Sequence, residues 1–507
     1  MFALLHNADL PDDVNAIKAL ALEQNRMARH YWEQLEILNY QIAQFRRARF
    51  GPSSEQLPGQ ADLFIESVTL PVPPAAAGTS VAAHVRRGRP ALPKDLPRER
   101  VQYDLTDSEK AEFDHVERIG VEVSETLDYT PARLTVIEHV RIKYACRKDG
   151  DSTIRTAFAQ PSPLPKSNAS AGLLAQICVS TFVDHIPLNR QEAMYRRLRI
   201  ILPRATLCAW KLGTAELLQV LLPPLKAHLL SAPRVHSDDT TMPLRLPGRA
   251  STKAARLWGY LGAGQRQENG LWVDHPPAVL FEFTDSREAI HPLTFLGDYR
   301  GYLQADAYSG YQSLYRSGRV VEVGCWAHCR RRFFEIAKIQ QQPGLAAKAL
   351  AWIAGLYTIE TTIKDMPPDH KLAVRQTQAI PMLTEFRRWL EGHLPELVPK
   401  APLAQAFSYA LRNWDALVRY TENGVLQPDN NAIERAIRPI AVGRANYLFV
   451  GSPRGGHAAA TMYSLLGTAR LNGLNPYDWL KETLTQLPSC PSNRVAQLLP
   501  LKRQPAL

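Results

Sequence analysis

Between residues 231 and 335 the chain sorts into short apolar runs separated by polar, turn-forming stretches. Residues 234–237, 257–263 and 278–283 form the first three runs, each of strand length. A helix-like segment follows the third, with Thr284 or Asp285 as its cap. A fourth run ends at Asp306, a helix starts from Tyr308, a fifth run covers 320–325, and the basic helix WAHCRRRFFE closes the stretch. The predicted order is β-β-β-α-β-α.

Elsewhere the periodicity changes. Ile17, Leu20, Gln24, Met27 and Tyr31 recur at steps of three and four, and Leu35, Leu38, Ile42 and Phe45 resume the pattern after an irregular step. Such a seam predicts a short coiled coil over 1–57, with an amphipathic helix packed on its own domain as the alternative. Residues 58–100 are rich in Pro and Ala, then basic, and read as a linker. Within it Arg87-Gly88-Arg89-Pro90 suits a minor-groove hook or a plain basic linker. Residues 101–165 alternate like a small antiparallel unit, and 166–230 read as helices resembling a helix-turn-helix. There Arg204 opens the second helix and Trp210 anchors it, the basic face being either a DNA contact or a solvated surface. Residues 336–420 keep helical spacing without strand-like alternation, 421–455 resume the core, and 456–507 form a helical tail.

The β-β-β-α-β-α order is the plan of an α/β ribonuclease-H-like catalytic core, here with an all-helical insertion. In that plan the first and fourth strands lie side by side, so Asp238 and Asp306 face each other at one end of the sheet. Oxygen ligands from adjacent strands, with open positions, suit a pair of Mg²⁺ or Mn²⁺ ions. The alternative is that each aspartate caps the turn after its strand. In QPDNNAIERAIRPI, Glu434 fits a capping box with Asn431, or supplies a third carboxylate. Arg435 and Arg438 follow it, Arg438 on the same helical face, where it is placed to grip a phosphate. Arg330, Arg331 and Arg332 are candidate DNA contacts, with a solvated helix face as the alternative. Cys325 and His328 make a C-x-x-H with no second ligand pair in sequence.

A net charge of +11 favours an anionic partner. No run reaches the ~18 apolar residues of a membrane span. The N-terminus lacks the features of a signal peptide, and the six cysteines form no CxxC pair or secreted framework. The reading is a cytoplasmic protein.

The chain resembles the bacterial DDE transposases of the insertion-sequence-66 family over nearly its whole length. The resemblance rests on FRRARFGPSSEQL, RRGRPALPKDLPRE, FVDHIPLNRQE, HSDDTTMPL, LQADAYSGY, GCWAHCRRRF and DNNAIERAIRPIAVGRANYLFVGS. It implies that Asp238, Asp306 and Glu434 are the catalytic, metal-holding carboxylates, with Asp239 where the family commonly has Glu. It implies two Mg²⁺ or Mn²⁺ ions, 3′-end cleavage and strand transfer. A homo-oligomer and accessory transposition proteins are also implied. The chain departs from the family in a degenerate zinc knuckle, where only Cys146 remains, so zinc is not expected. It also has Ala445 where the family commonly has Lys, which leaves Arg444 to make the phosphate contact alone. The rival readings are a ribonuclease-H-like nuclease or resolvase that cuts without joining, and a DNA-binding remnant without catalysis.

Overall fold

A computed structural model describes residues 162–502 except 166, 249–250 and 340–343, the backbone of 143–148 and 151–156, and scattered residues of 15–31 and 134–137. The linker with Arg87 and Arg89, and most of the N-terminal seam, lie outside the described residues. Of that seam, Gln24, Met27 and Tyr31 are described, and all three are exposed on helical backbone. Strands β1 (Lys143–Lys148) and β2 (Asp151–Thr156) pair antiparallel as a hairpin. They belong to a unit, Ala61–Ala157, separate from the remainder.

The larger unit is built on a five-stranded mixed sheet. Its strands are β3 (Arg234–Leu244), β4 (Lys253–Glu268), β5 (Leu271–Thr284), β6 (Gly301–Gln304) and β7 (Val320–Val323), in the order β5-β4-β3-β6-β7. β3, β4 and β5 form an antiparallel meander, whereas β6 and β7 join in parallel. The first three strands extend well beyond the apolar runs that announce them. β3 continues through the polar run Asp238–Thr241 because β4 supplies a ladder partner for every residue up to Leu244. The parallel ladder with β6 stops at His236 opposite Gln304, so Asp238 lies just past its end while still inside a strand. The helix after β5, α5 (Ile290–Leu296), begins later than expected. Asp285 is committed to Lys253 at 2.9 Å and Thr284 donates to the carbonyl of Ser286, so neither caps it.

Strand alternation decides which helices cover which side of the sheet. On one face, Ile433 of α13 (Asn431–Tyr447) sits so close to Gly259 that a Cβ there would stand 3.0 Å from it. On the other face Leu229 of α4 (Leu222–Leu230) crowds Gly262, and Phe295 of α5 stacks on Tyr260 at 3.6 Å. Beyond the first face, α14 (Pro453–Leu471) closes the edge strand. Thr468 and Ser464 accept the backbone N–H groups of Val279 and Phe281 on β5 at 3.0 and 2.7 Å. A hydroxyl-bearing helix thus satisfies donors that an open sheet edge leaves unpaired.

The 166–230 region forms α1 (Ala171–Phe182), α2 (Leu188–Arg197), α3 (Arg204–Leu218) and α4. Leu174, Ile177, Leu207, Leu218 and Leu225 are buried in the same apolar cluster as the sheet residues Val235, Tyr260 and Phe281. α7 (Trp326–Ala337) starts a second core. Its Trp326, Phe333 and Phe334 pack with Phe386, Phe407 and Trp414 from α10 (Ile380–His393), α11 (Pro402–Arg412) and α12 (Trp414–Val418). Together with α8 (Leu345–Thr362) and α9 (Pro368–Val374), these give the insertion helices joined by turns, with no strand among its described residues. After α14, α15 (Pro476–Gln486) completes the tail and packs on α1.

Candidate active site

Asp238 and Asp239 are neighbours in sequence and point to opposite faces of the sheet. Asp239 is opposite Trp258 and lies on the side of Arg256, which reaches it at 2.9 Å. Arg287 adds a second bond at 2.8 Å and also lies 3.8 Å from Asp306. Only 2% of the Asp239 side chain is exposed, and its charge is spent on these two guanidinium groups. Asp238 is opposite Gly259, on the face covered by α13, and no cation reaches it among the described residues. Burial pushes its carboxyl up to about 7; the charges of Asp306, Glu434 and Asp239 add to this, against a hydrogen bond from the Asp239 N–H at 2.7 Å.

Asp306 follows β6 and accepts from the Tyr308 N–H at 3.2 Å, so it does hold its local turn. It also remains 26% exposed and open to a further ligand. Glu434 occupies the first turn of α13, where no side-chain capping bond forms. The capping-box role therefore does not describe it. Glu434 Oε1 lies 3.6 Å from His328 Nδ1 on α7, a ring nitrogen without a hydrogen-bond partner. With Cys325 Sγ, these make the group of metal-capable side chains that closes within 4.8 Å among the described residues. The C-x-x-H of α7 thus gains its third neighbour from Glu434, more than a hundred positions along the chain. Asp238 and Asp306 stand outside that tight group, and the charges of Asp306 and Glu434 act on Asp238.

Asn430 locks this geometry. Fully buried, it bonds His236 Nδ1 through its side-chain oxygen at 2.9 Å and donates to the Ser237 carbonyl at 2.9 Å. Its own N–H donates to Cys325 Sγ at 3.1 Å. One side chain therefore ties the start of α13 to β3, and its backbone ties both to the start of α7. The connector before it is held as firmly. Arg375, buried in the insertion, pairs with Glu360 at 2.6 Å and donates to the carbonyls of Tyr420, Asn423 and Leu426 at 2.9, 3.1 and 3.0 Å. Gln304 at the end of β6 donates to the Gln427 carbonyl at 2.6 Å.

The predicted DNA-binding arginines divide into three groups. Arg331, Arg332, Arg435 and Arg438 are exposed, and Arg204 is exposed beside Glu192 at 3.5 Å. Arg330 is a correction: it is buried and lies 5.3 Å from the Phe334 ring, because its position on α7 faces the second core. Arg444 is another. Its guanidinium donates to Thr240 Oγ1 at 3.1 Å, to Thr241 Oγ1 at 2.8 Å and to the Thr241 carbonyl, bracing α13 against β3. Sequence reasoning missed Asn430 and Arg287, because their partners are distant in sequence: His236 and Ser237 for the first, and Asp239 and Asp306, 48 and 19 residues away, for the second.

One carboxylate on β3, another just after β6 and a third on α13 are thus carried by neighbouring elements of a mixed α/β protein. The family model described as "Transposase IS66 family" matches residues 166–458, and its C-terminal element matches 464–501. Two further models match upstream: "Transposase C of IS166 homeodomain" at 37–101 and the "zinc-finger binding domain of transposase IS66" at 112–148. The chain belongs to the IS66 family of transposases. Among its relatives are three uncharacterized proteins of Sinorhizobium fredii. y4hP is 32% identical over 91% of this chain and 88% of its own length; y4jD is 31% identical over 98% and 97%. The third, y4qI, is 30% identical over 98% of each. Within the zinc-finger match, Cys146 is the one cysteine. No helix among the described residues is long and apolar enough to cross a membrane.

Proposed function

We propose that this protein is the DNA transposase of a bacterial insertion sequence, built on a ribonuclease-H-like core. It cuts the element at its 3′ ends and joins them to target DNA, with Asp238, Asp306 and Glu434 as metal-holding catalytic carboxylates. The observation that carries the proposal is the contrast within β3: Asp239 is neutralised by two arginines, while Asp238 is buried among carboxylates without a cation. A site that repels its own protonated-to-charged transition in this way suits a divalent cation, and its oxygen donors suit Mg²⁺ or Mn²⁺. When bound, such ions supply the positive charge that favours attack on a phosphodiester and departure of its 3′ oxygen.

The residues themselves supply position. Asn430 and the Arg375 connector fix α13, so Glu434 meets the end of β3 without a search. Arg435 and Arg438, exposed on α13 and without ion pairs among the described residues, are placed to bind the phosphates that flank the reacting one. In the first step a water oxygen displaces the 3′ oxygen. In the second the freed 3′-hydroxyl displaces a strand of target DNA, its proton passing to solvent. Two ends must be held at once, so at least two copies act together; the apolar N-terminal seam supports their pairing, and accessory proteins belong to the same reading.

A duplex carrying the element's own end, pre-cleaved to expose its 3′-hydroxyl, tests this directly. Incubated with a supercoiled plasmid and Mg²⁺, it is expected to become covalently joined. Cutting of uncleaved ends without joining would instead make the protein a nuclease, and DNA binding without either would make it a remnant.

A further inference from the structure

A cleft of about 620 Å³ opens beside Asp306, between the catalytic sheet and the helical insertion. One wall is the polar face of α7, carrying His328, Arg331, Arg332 and Glu335; the other comes from the insertion, with Lys400, Gln405 and Tyr409. We infer that this cleft is a binding track for the sugar-phosphate backbone of a single DNA strand leading to the scissile phosphate, and that Lys400 of the insertion is a phosphate ligand in it. The inference rests on the proposal that the substrate is DNA and adds where the strand lies.

Three observations support a backbone track over a base-reading pocket. First, three cations, Arg331, Arg332 and Lys400, line the walls beside two acids, Asp306 and Glu335, and Asp306 is itself a proposed cation ligand. Second, Arg332 lies 4.0 Å over the ring of Tyr409 and covers a face of the largest aromatic side chain in the lining that could stack a base. A guanidinium stacked in this way keeps its N–H edge open to an anion. Third, Lys400 is held for the purpose. Its backbone has φ +67, a left-handed conformation that a lysine rarely adopts, and Gln405 clasps its carbonyl at 2.7 Å. Lys400 makes no ion pair among the described residues. His328 and Glu335 are seven positions apart on α7, which spans roughly 10 Å along a helix. At ~3.4 Å per nucleotide in a strand, that matches about three nucleotides.

The test is the salt dependence of binding to a short single-stranded oligonucleotide and to the duplex end, measured by fluorescence anisotropy without divalent ions. Lys400→Ala is expected to lower the slope of log affinity against log salt by about 0.7 for the single strand, the loss of one phosphate contact. Lys400→Gly should do the same without a lower melting temperature, because glycine suits the left-handed backbone. An unchanged slope in both variants overturns the inference. So does an equal fall for Lys481→Ala on α15, which would show an effect of net charge alone. Because no chemistry is read, failure of strand transfer leaves this result standing, and successful joining with an unchanged slope still rejects the track.

Discussion

The two faces of β3 differ more than any two regions of the molecule that lie so close together. On one, Ser237 and Asp239 are absorbed into structure: Ser237 bonds Tyr311 at 2.8 Å, and Asp239 holds Arg256 and Arg287. On the other, His236 fastens Asn430 and Asp238 is left facing Glu434's helix without a countercharge. A single-residue alternation separates a structural ion pair from a buried carboxylate without a countercharge. The lesson is that sequence adjacency says little about role in a strand, whereas the identity of the face says a great deal.

The strongest way to break that comparison is to exchange the two fates. Asp238→Asn should reduce cleavage and joining about a thousandfold or more, the rate equivalent of several kcal/mol, with DNA binding retained. Asp306→Asn and Glu434→Gln should do likewise. Gel assays on labelled element ends would read all three, and residual activity near wild type in Asp238→Asn would remove that residue from the site.

Stability should move the other way. The folded carboxyl of Asp238 titrates at about 7, above its ordinary value of 3.8. Its folded state therefore favours the protonated form, and stability present below the ordinary value is lost as the pH climbs towards about 7. Without divalent ions, Asp238→Asn should be more stable than wild type at pH 8, by at most about 4 kcal/mol, and the difference should close near pH 4. Added Mg²⁺ should raise the melting temperature of the wild type but not of the variant. A wild type that is equally stable at both pH values relative to Asp238→Asn would contradict the assignment of the buried, uncompensated charge.

Asp239→Asn should instead cost stability at neutral pH, about 1–3 kcal/mol. Breaking a buried pair costs more, but the side chains of Arg256 and Arg287 are 25% and 42% exposed and water softens the loss. Its catalytic rate should fall far less than that of Asp238→Asn. Asn430→Ala should cost about 2–3 kcal/mol through its orphaned partners, and should lower the rate at saturating DNA more than the affinity. The smallest effect is expected of Arg438→Ala: a few-fold weaker binding, with the salt slope reduced by about 0.9 on duplex DNA.

The strands were legible because apolar runs of strand length survive in any context, and the helical insertion because no alternation interrupts it. Asp238, Asp306 and Glu434 stood out by their places relative to those elements, each with a capping role as its alternative. Which neighbour of the Asp238–Asp239 pair faces α13 depended on the register with β4, and the polar run 238–241 concealed that β3 continues. Arg287, Asn430 and Lys400 take their roles from partners distant in sequence or from a single left-handed residue, so no local pattern marks them. Arg330 shows the reverse error: a run of three arginines looks like one basic face, yet successive helical residues point about 100° apart, and the first of them turns inward.

Arg375 sets a timetable for assembly. It lies in the insertion, yet its guanidinium ties down the carbonyls of the connector that leads to Asn430 and Glu434. A chain growing from its N-terminus makes both aspartates first, then the helices that bury Arg375, and only afterwards the glutamate. Until the insertion has closed on that arginine, the connector lacks three of the hydrogen bonds that hold it, so the helix bearing Glu434 is the last of these parts to be fixed in place.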